Sequence, residues 1–367
     1  MIEPANTKIA VIGGGNIGTQ FACVTASKGF CVNLLSSAPE LFDGTLEVVD
    51  EFENVTSGCL NLVSSDIGEV VDGCSVVFVT YPAYKLKDFA DRLLPYVQSG
   101  MYICVLPGTG GAEFSFLECI KAGATLIGLQ RVPSVARLEK YGKRVRCEGL
   151  RLKLNLASIP AGKTAEFSEF LTLLWGIPCN VLPNYLNVTL TPSNPIIHTT
   201  RLRTLFADYK SDTVYERNPL FYAEWTDEAS ALMLACDSEL QETIKAIGGM
   251  DLHNVSSLKH HYDSETVEAL TCKLRSIKSL HNLYSPMKKI EGGWIPDFES
   301  RYFAADFPYG LAILEEFADV VGIGAPNIKS TMAWYRELTG DYNRLDIRQY
   351  GICSIEDIYA FYNENPA

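Results

Sequence analysis

Lys8-Ile9-Ala10-Val11-Ile12-Gly13-Gly14-Gly15-Asn16-Ile17-Gly18-Thr19 contains two changes of local conformation in quick succession. Lys8 to Ile12 is a short β-branched run that reads as a strand. Gly13 to Gly18 breaks it, and Thr19 to Lys28 continues with helical character until Gly29 stops it. The glycines fit G-x-G-x-x-G, and each has a physical use. Gly13 permits a tight turn, Gly15 lets the backbone approach a pyrophosphate, and Gly18 lets the helix pack close to the sheet. The free N–H groups and partial positive charge of a helix start, here around Asn16 and Ile17, suit phosphate oxygens. The turn implies a dinucleotide site at Gly13, Gly15, Asn16, Ile17 and Gly18.

Outward from this turn, Cys31 to Leu35, Ser75 to Thr80, Met101 to Leu106 and Ala124 to Leu129 are short and apolar on both faces, as central parallel strands are. Helical stretches at Leu86 to Val97 and Glu113 to Ala122 lie between them, which predicts an α/β fold with a doubly wound parallel sheet. Arg144 to Cys147, Leu150 to Ala157, a helix near Thr164 to Trp175 and a strand near Pro178 to Leu182 read as an extension of that sheet. After Pro183 strand patterns cease. Segments of helical period follow at Asp227 to Ile247, Ser264 to Ile277, Tyr309 to Val321 and Ala325 to Leu338, with Ser354 and Asp357 opening a last short helix. The expectation is a sheet domain over residues 1–184 and an all-helical domain over 185–367.

The chain has 367 residues, of which 47% are hydrophobic, enough for two cores. Its net charge of −13 offers no footprint for a nucleic-acid backbone or an anionic membrane, which leaves a small molecule as the expected partner. There is no long apolar run and no secretory signal pattern at the start, so the expected location is cytoplasmic. The 11 cysteines form no Cys-x-x-Cys pair and read as reduced packing residues, with no metal site expected.

The strand at Cys31 to Leu35 ends in Ser36-Ser37, where an acid would bind an NAD ribose hydroxyl. No Arg or Lys stands beside the serines to receive a 2′-phosphate, so NAD and NADP both stay open, with Ser36 as the candidate contact and Glu40 as a surface alternative. Tyr81-Pro82-Ala83 and Pro107-Gly108-Thr109-Gly110-Gly111 follow strands at the carboxyl edge of the sheet, where ligands bind; the same Pro and Gly residues also serve ordinary turns.

Hydride transfer to a carbonyl or imine carbon needs a proton donor, and histidine is the natural one at neutral pH. His253, His260, His261 and His281 fall in polar stretches and read as exposed. His198 differs: it ends Thr191-Pro192-Ser193-Asn194-Pro195-Ile196-Ile197-His198, near the expected change of domain. A second dense segment, Gly292 to Leu311, is rich in aromatics and holds Arg301 and Asp306. It can supply a cation for a substrate carboxylate and an acid to orient an imidazole.

The Gly-rich turn, Asn194-Pro195 with His198, and Ser300-Arg301-Tyr302-Phe303 with Asp306, Pro308, Tyr309, Gly310 and Leu311 together resemble the opine dehydrogenases of the octopine and nopaline type. The resemblance runs over nearly the whole chain and implies a Rossmann-type domain followed by a helical one. It also implies reductive joining of an amino acid to a 2-oxo acid with NADH or NADPH. Under that resemblance His198 handles the proton, Asp306 orients it and Arg301 binds a substrate carboxylate. A homodimer is the candidate assembly. The chain departs from the family where Ala304-Ala305 replace an acid often found before the aspartate. Two other readings fit the same turn: a 2-hydroxy acid or ketopantoate-like dehydrogenase, for which Lys245 and Lys273 are the helical lysines, and a protein that senses a dinucleotide without chemistry.

Overall fold

The computed structural model describes residues 2–3 and 6–363. The chain forms two compact units, one of Met1–Thr189 with the residues from Ala360 on, the other of Leu190–Tyr359.

The first unit is built on an eight-stranded sheet. Its strands are β1 (Lys8–Ile12), β2 (Cys31–Leu35), β5 (Leu62–Ser64), β6 (Val76–Val79), β7 (Tyr102–Val105), β8 (Thr125–Leu129), β11 (Leu154–Ile159) and β12 (Cys179–Val181), in the order β12-β11-β8-β7-β6-β1-β2-β5. All neighbours are parallel except β8 and β11. β6, β7 and β8 are buried along their whole length, which is why they lack the alternation of a half-exposed strand. The chain adds β2 and β5 on one side of β1 and β6 on the other. The crevice beyond the carboxyl ends of β1 and β6 is therefore a topological switch point.

A second sheet escapes the sequence reading. β3 (Thr45–Val49), β4 (Val55–Cys59), β9 (Val135–Lys140) and β10 (Arg144–Glu148) order as β4-β3-β10-β9. It takes Arg144–Glu148 away from the main sheet, where the sequence pattern places that run. This sheet packs on the helix Asn16–Ser27, whose far face meets the main sheet. Leu46, Val145 and Cys147 share one core with Phe21, Ala22 and Cys23, and the Cys23 thiol lies 3.2 Å from the Leu46 carbonyl. Gly58 has no side chain because a Cβ there would lie 2.4 Å from the Cys23 carbonyl oxygen. Burial on both sides explains why this helix shows little amphipathic period.

The second unit is helical, with one exception to the expectation that strands end at Pro183: a hairpin of β13 (Met287–Ile290) and β14 (Gly293–Pro296), turning at Gly292. Its backbone is main-chain bonded to Tyr215; β13 is largely exposed and β14 has only four residues, so neither leaves an apolar alternation to read. The helix Asn194–Leu205 packs on the long helix Asp227–Ile247. The last helix, Ile355–Asn363, sends Phe361 onto the ring of Phe114 (5.3 Å) and Tyr362 to the Glu113 carboxylate (2.8 Å). These contacts group the end of the chain with the first unit, although its position in sequence places it with the second. Among the described residues no helix is long and apolar enough to cross a membrane.

Candidate active site

At the first site, β1 ends at Ile12 and Gly13 turns with φ +101°, a conformation that favours glycine. A Cβ on Gly13 would lie 2.9 Å from Thr80 Oγ1 and 3.2 Å from the Tyr81 ring, so this turn and the end of β6 are in direct contact. Thr80 fixes that contact by donating to the Ile12 carbonyl at 2.7 Å. The helix starts three residues earlier than the sequence suggests, at Asn16, with Gly15 as its cap and no side-chain oxygen on its first N–H groups. A Cβ on Gly18 would lie 1.6 Å from the Gly13 carbonyl oxygen, whereas one on Gly15 would meet nothing within 4 Å. Gly18 is thus glycine for the fold. Gly15 leaves open space beside an uncapped helix start, the arrangement that fits a pyrophosphate.

The other residues expected here divide. Asn16 spends its side-chain oxygen on the Leu138 N–H (2.8 Å), which fixes its amide, and Ile17 packs against the core and offers a ligand only its backbone. Ser36 accepts from the Ala38 N–H and lies 3.0 Å from the Tyr141 hydroxyl. Tyr141 pairs edge-on with Phe42, and a Cβ on Gly14 would meet both rings, so these aromatics wall the turn on the β2 side. Sequence reasoning missed both, because they come from distant loops. Pro82 caps a short turn at Ala83–Lys85 beside Tyr81. In the Pro107–Gly111 loop, Gly108 has a packing reason: a Cβ there would lie 2.3 Å from Gly128 Cα, and its carbonyl accepts from the Tyr185 hydroxyl.

The second site gathers the three residues singled out as catalytic candidates. His198 sits mid-helix, buried, with a side chain only 4% exposed. Asp306 caps a π-helical turn, Phe307–Leu311, closed by the Leu311 N–H on the Asp306 carbonyl at 2.8 Å. π turns often occur at functional sites. Gly310 lets this turn approach the His198 helix, since a Cβ there would lie 3.0 Å from the Pro195 ring. Pro195 is itself in the first turn of that helix, where a missing N–H costs nothing. The Asn194-Pro195 and Pro308-Tyr309-Gly310 segments thus meet face to face, and Asp306 Oδ2 comes within 2.7 Å of His198 Nδ1.

The other imidazole nitrogen, Nε2, lies 3.0 Å from the hydroxyl of Tyr222, a residue to which the sequence gives no part in handling the proton. Tyr302 covers the ring at 4.3 Å between centroids, and Phe221 meets it edge-on at 5.6 Å. Arg301 is exposed, its guanidinium 5.7 Å from the Tyr302 ring centre, and among the described residues it forms no ion pair. A paired imidazole and a guanidinium without an ion pair thus both lie against one aromatic ring. That combination can exchange a proton and hold an anion. His253, His260, His261 and His281 are exposed, as expected.

Residues 181–339 match the family described as NAD/NADP octopine/nopaline dehydrogenase, alpha-helical domain. The chain is 26% identical to an octopine dehydrogenase of Pecten maximus over 91% of its own length and 90% of that protein. It is also 26% identical to an opine dehydrogenase of Haliotis discus hannai, over 77% and 73% of the two chains. In fold it is similar to an octopine dehydrogenase solved with NADH and L-arginine, with a TM-score of 0.82, 23% identity and coverage of 96% and 97%. The helical-domain match and the near full-length likeness agree with the motifs around His198 and Asp306: residues 181–339 match the octopine/nopaline dehydrogenase helical domain, and the chain is similar to opine dehydrogenases over nearly its whole length.

Proposed function

We propose that this chain is an NAD(P)H-dependent opine-type dehydrogenase that reductively joins an amino acid to a 2-oxo acid. The observation that carries the reading is the buried His198–Asp306 pair, with the Tyr302 ring against the imidazole and the Arg301 guanidinium near that same ring. The nicotinamide supplies the hydride when bound. Gly15, with the backbone of Asn16 and Ile17, holds the pyrophosphate on the turn that Gly13 and Gly18 make possible; Ser36 meets the adenosine ribose, and Tyr81 and Pro82 border the same crevice.

Arg301 holds a substrate carboxylate in a charge-assisted pair. An ammonium must lose protons to become a nucleophile and then an imine nitrogen, and the carbonyl oxygen must gain two to leave as water. His198 takes and returns such a proton, while Asp306 stabilises the imidazolium and fixes the ring. Ser36 stands where NAD-selective sites carry an acid, so NADH and NADPH are both admitted as donors.

The test follows the absorbance of NADH and of NADPH with amino acids and 2-oxo acids, singly and in pairs. Oxidation only when both are present is expected. Turnover with a 2-oxo acid alone would replace this reading with that of a 2-hydroxy acid dehydrogenase. His198→Ala should abolish turnover and spare dinucleotide binding.

A further inference from the structure

Because Asp306 occupies Nδ1 of His198, a proton exchanged with substrate must pass through Nε2. A carboxylate only accepts, so in the neutral ring the proton sits on Nδ1 and Nε2 offers a lone pair. The Tyr222 hydroxyl at 3.0 Å is then the donor to it. Burial pushes the Tyr222 phenol well above its ordinary pKa, which keeps it a donor.

The position of that hydroxyl is set by residues outside the proposed chemistry. Arg201, one turn after His198 on the same helix, donates from Nε to the Phe221 carbonyl (3.2 Å) and from Nη2 to the Glu224 carbonyl (2.7 Å). Those carbonyls bracket Tyr222. The Glu224 carboxylate accepts from the Leu220 N–H (2.7 Å) and pairs with Arg217, and the Tyr222 ring stacks on Trp225 at 5.9 Å. Arg201 is itself buried, and desolvation pulls its pKa down to about 10. Burying a guanidinium is costly, and here it holds two main-chain oxygens in place. One helix therefore carries both the imidazole and the cation that fixes the imidazole's partner.

We propose that Tyr222 is a positioning residue for proton transfer, its hydroxyl holding Nε2 of His198 so that Tyr222 and Asp306 fix the imidazole from both ends. This rests on the reading of His198 as the proton-handling residue. In the enzyme without substrate the hydroxyl donates to Nε2 of the neutral ring and keeps that lone pair aimed. The exchanging group of the substrate takes the hydroxyl's place at Nε2 when it binds. Without the hydroxyl, Nε2 is left unsatisfied and the ring is held at one end only.

The experiment uses the full chain labelled with 15N-histidine, without substrate, with His198 identified by its absence from the spectrum of His198→Gln. In the wild type, neutral His198 is expected to show a protonated Nδ1 and a hydrogen-bonded acceptor Nε2. In Tyr222→Phe the Nε2 resonance should move to the unbonded acceptor position while Nδ1 stays. In the same variant kcat should fall on the order of 10-fold, with KM for either substrate within about twofold. An Nε2 resonance unmoved by the substitution, an unchanged kcat, or a wild-type neutral ring protonated on Nε2 would each overturn the proposal. The tautomer of the wild-type ring tests it even if the variant folds poorly. Because the spectra need no turnover, a failed substrate screen would refute the reaction without deciding the hydrogen bond.

Discussion

Asp306 Oδ2 lies 2.7 Å from His198 Nδ1, across 108 positions of sequence. A carboxylate at that nitrogen does two things that an amide cannot: it forces Nδ1 to be the protonated nitrogen, and it stabilises the charge of the imidazolium. Asp306→Asn keeps the volume, but its amide can turn an N–H toward the ring and move the proton to Nε2. The expected result is a fall in kcat of about two to four orders of magnitude with NADH or NADPH binding unchanged. A loss below about 10-fold, measured with the best substrate pair, would remove the pair from the proton-transfer step.

Gly15 and Gly18 separate binding from folding. Alanine at Gly18 places its Cβ 1.6 Å from the Gly13 carbonyl oxygen, so the turn must open. Gly18→Ala should cost about 1–3 kcal/mol of stability and lower the Tm as well as dinucleotide affinity. Gly15→Ala meets nothing within 4 Å. Its Tm should stay within about 2 °C of wild type while the Kd for NADH rises about 10-fold or more, because the methyl stands where the pyrophosphate approaches. Thermal melts and fluorescence titrations of both variants decide this. Parallel losses of stability and affinity in Gly15→Ala would place the pyrophosphate elsewhere.

The parts of the molecule that were legible in the sequence are those where one local pattern has one physical cause. β1, its turn and the following helix are of this kind, as are the long helices of the second unit. β4 was not legible, because its residues are mostly exposed and Gly58 serves contact with the helix instead of a strand pattern. β9 was hidden by Arg137, Glu139 and Lys140, whose charged side chains suit a sheet edge. His198, Arg301 and Asp306 stood out singly, as a histidine near the expected change of domain and as a cation and an acid in one aromatic segment; their grouping came with the family resemblance, since no periodicity links positions so far apart. Tyr222 lies in a run of aromatics that reads equally well as core, and only the fold shows its hydroxyl on Nε2.

Glu113 gives the first unit a pH-dependent stability. Its carboxyl is fully buried; Oε1 accepts from the Thr189 and Tyr362 hydroxyls, and among the described residues no cation pairs with it and Oε2 has no partner. Burial pushes its pKa from 4.5 to about 7, against the opposing pull of the two hydroxyl donors. The folded chain keeps this proton up to about pH 7, whereas the unfolded chain releases it near 4.5. Between those values unfolding releases a proton, so stability falls as pH rises and the loss levels off above the folded pKa. The span corresponds to a ceiling of about 3 kcal/mol. Glu113→Gln retains a carbonyl acceptor for the two hydroxyls and cannot ionise. Denaturant titrations should find the variant more stable than wild type at pH 8, with the gap closing toward pH 4.5. Asp237, raised to about 6 by burial, titrates alike in both proteins and cancels from the comparison. A gap that does not widen with pH would show that Glu113 ionises in the folded chain as readily as in the unfolded one.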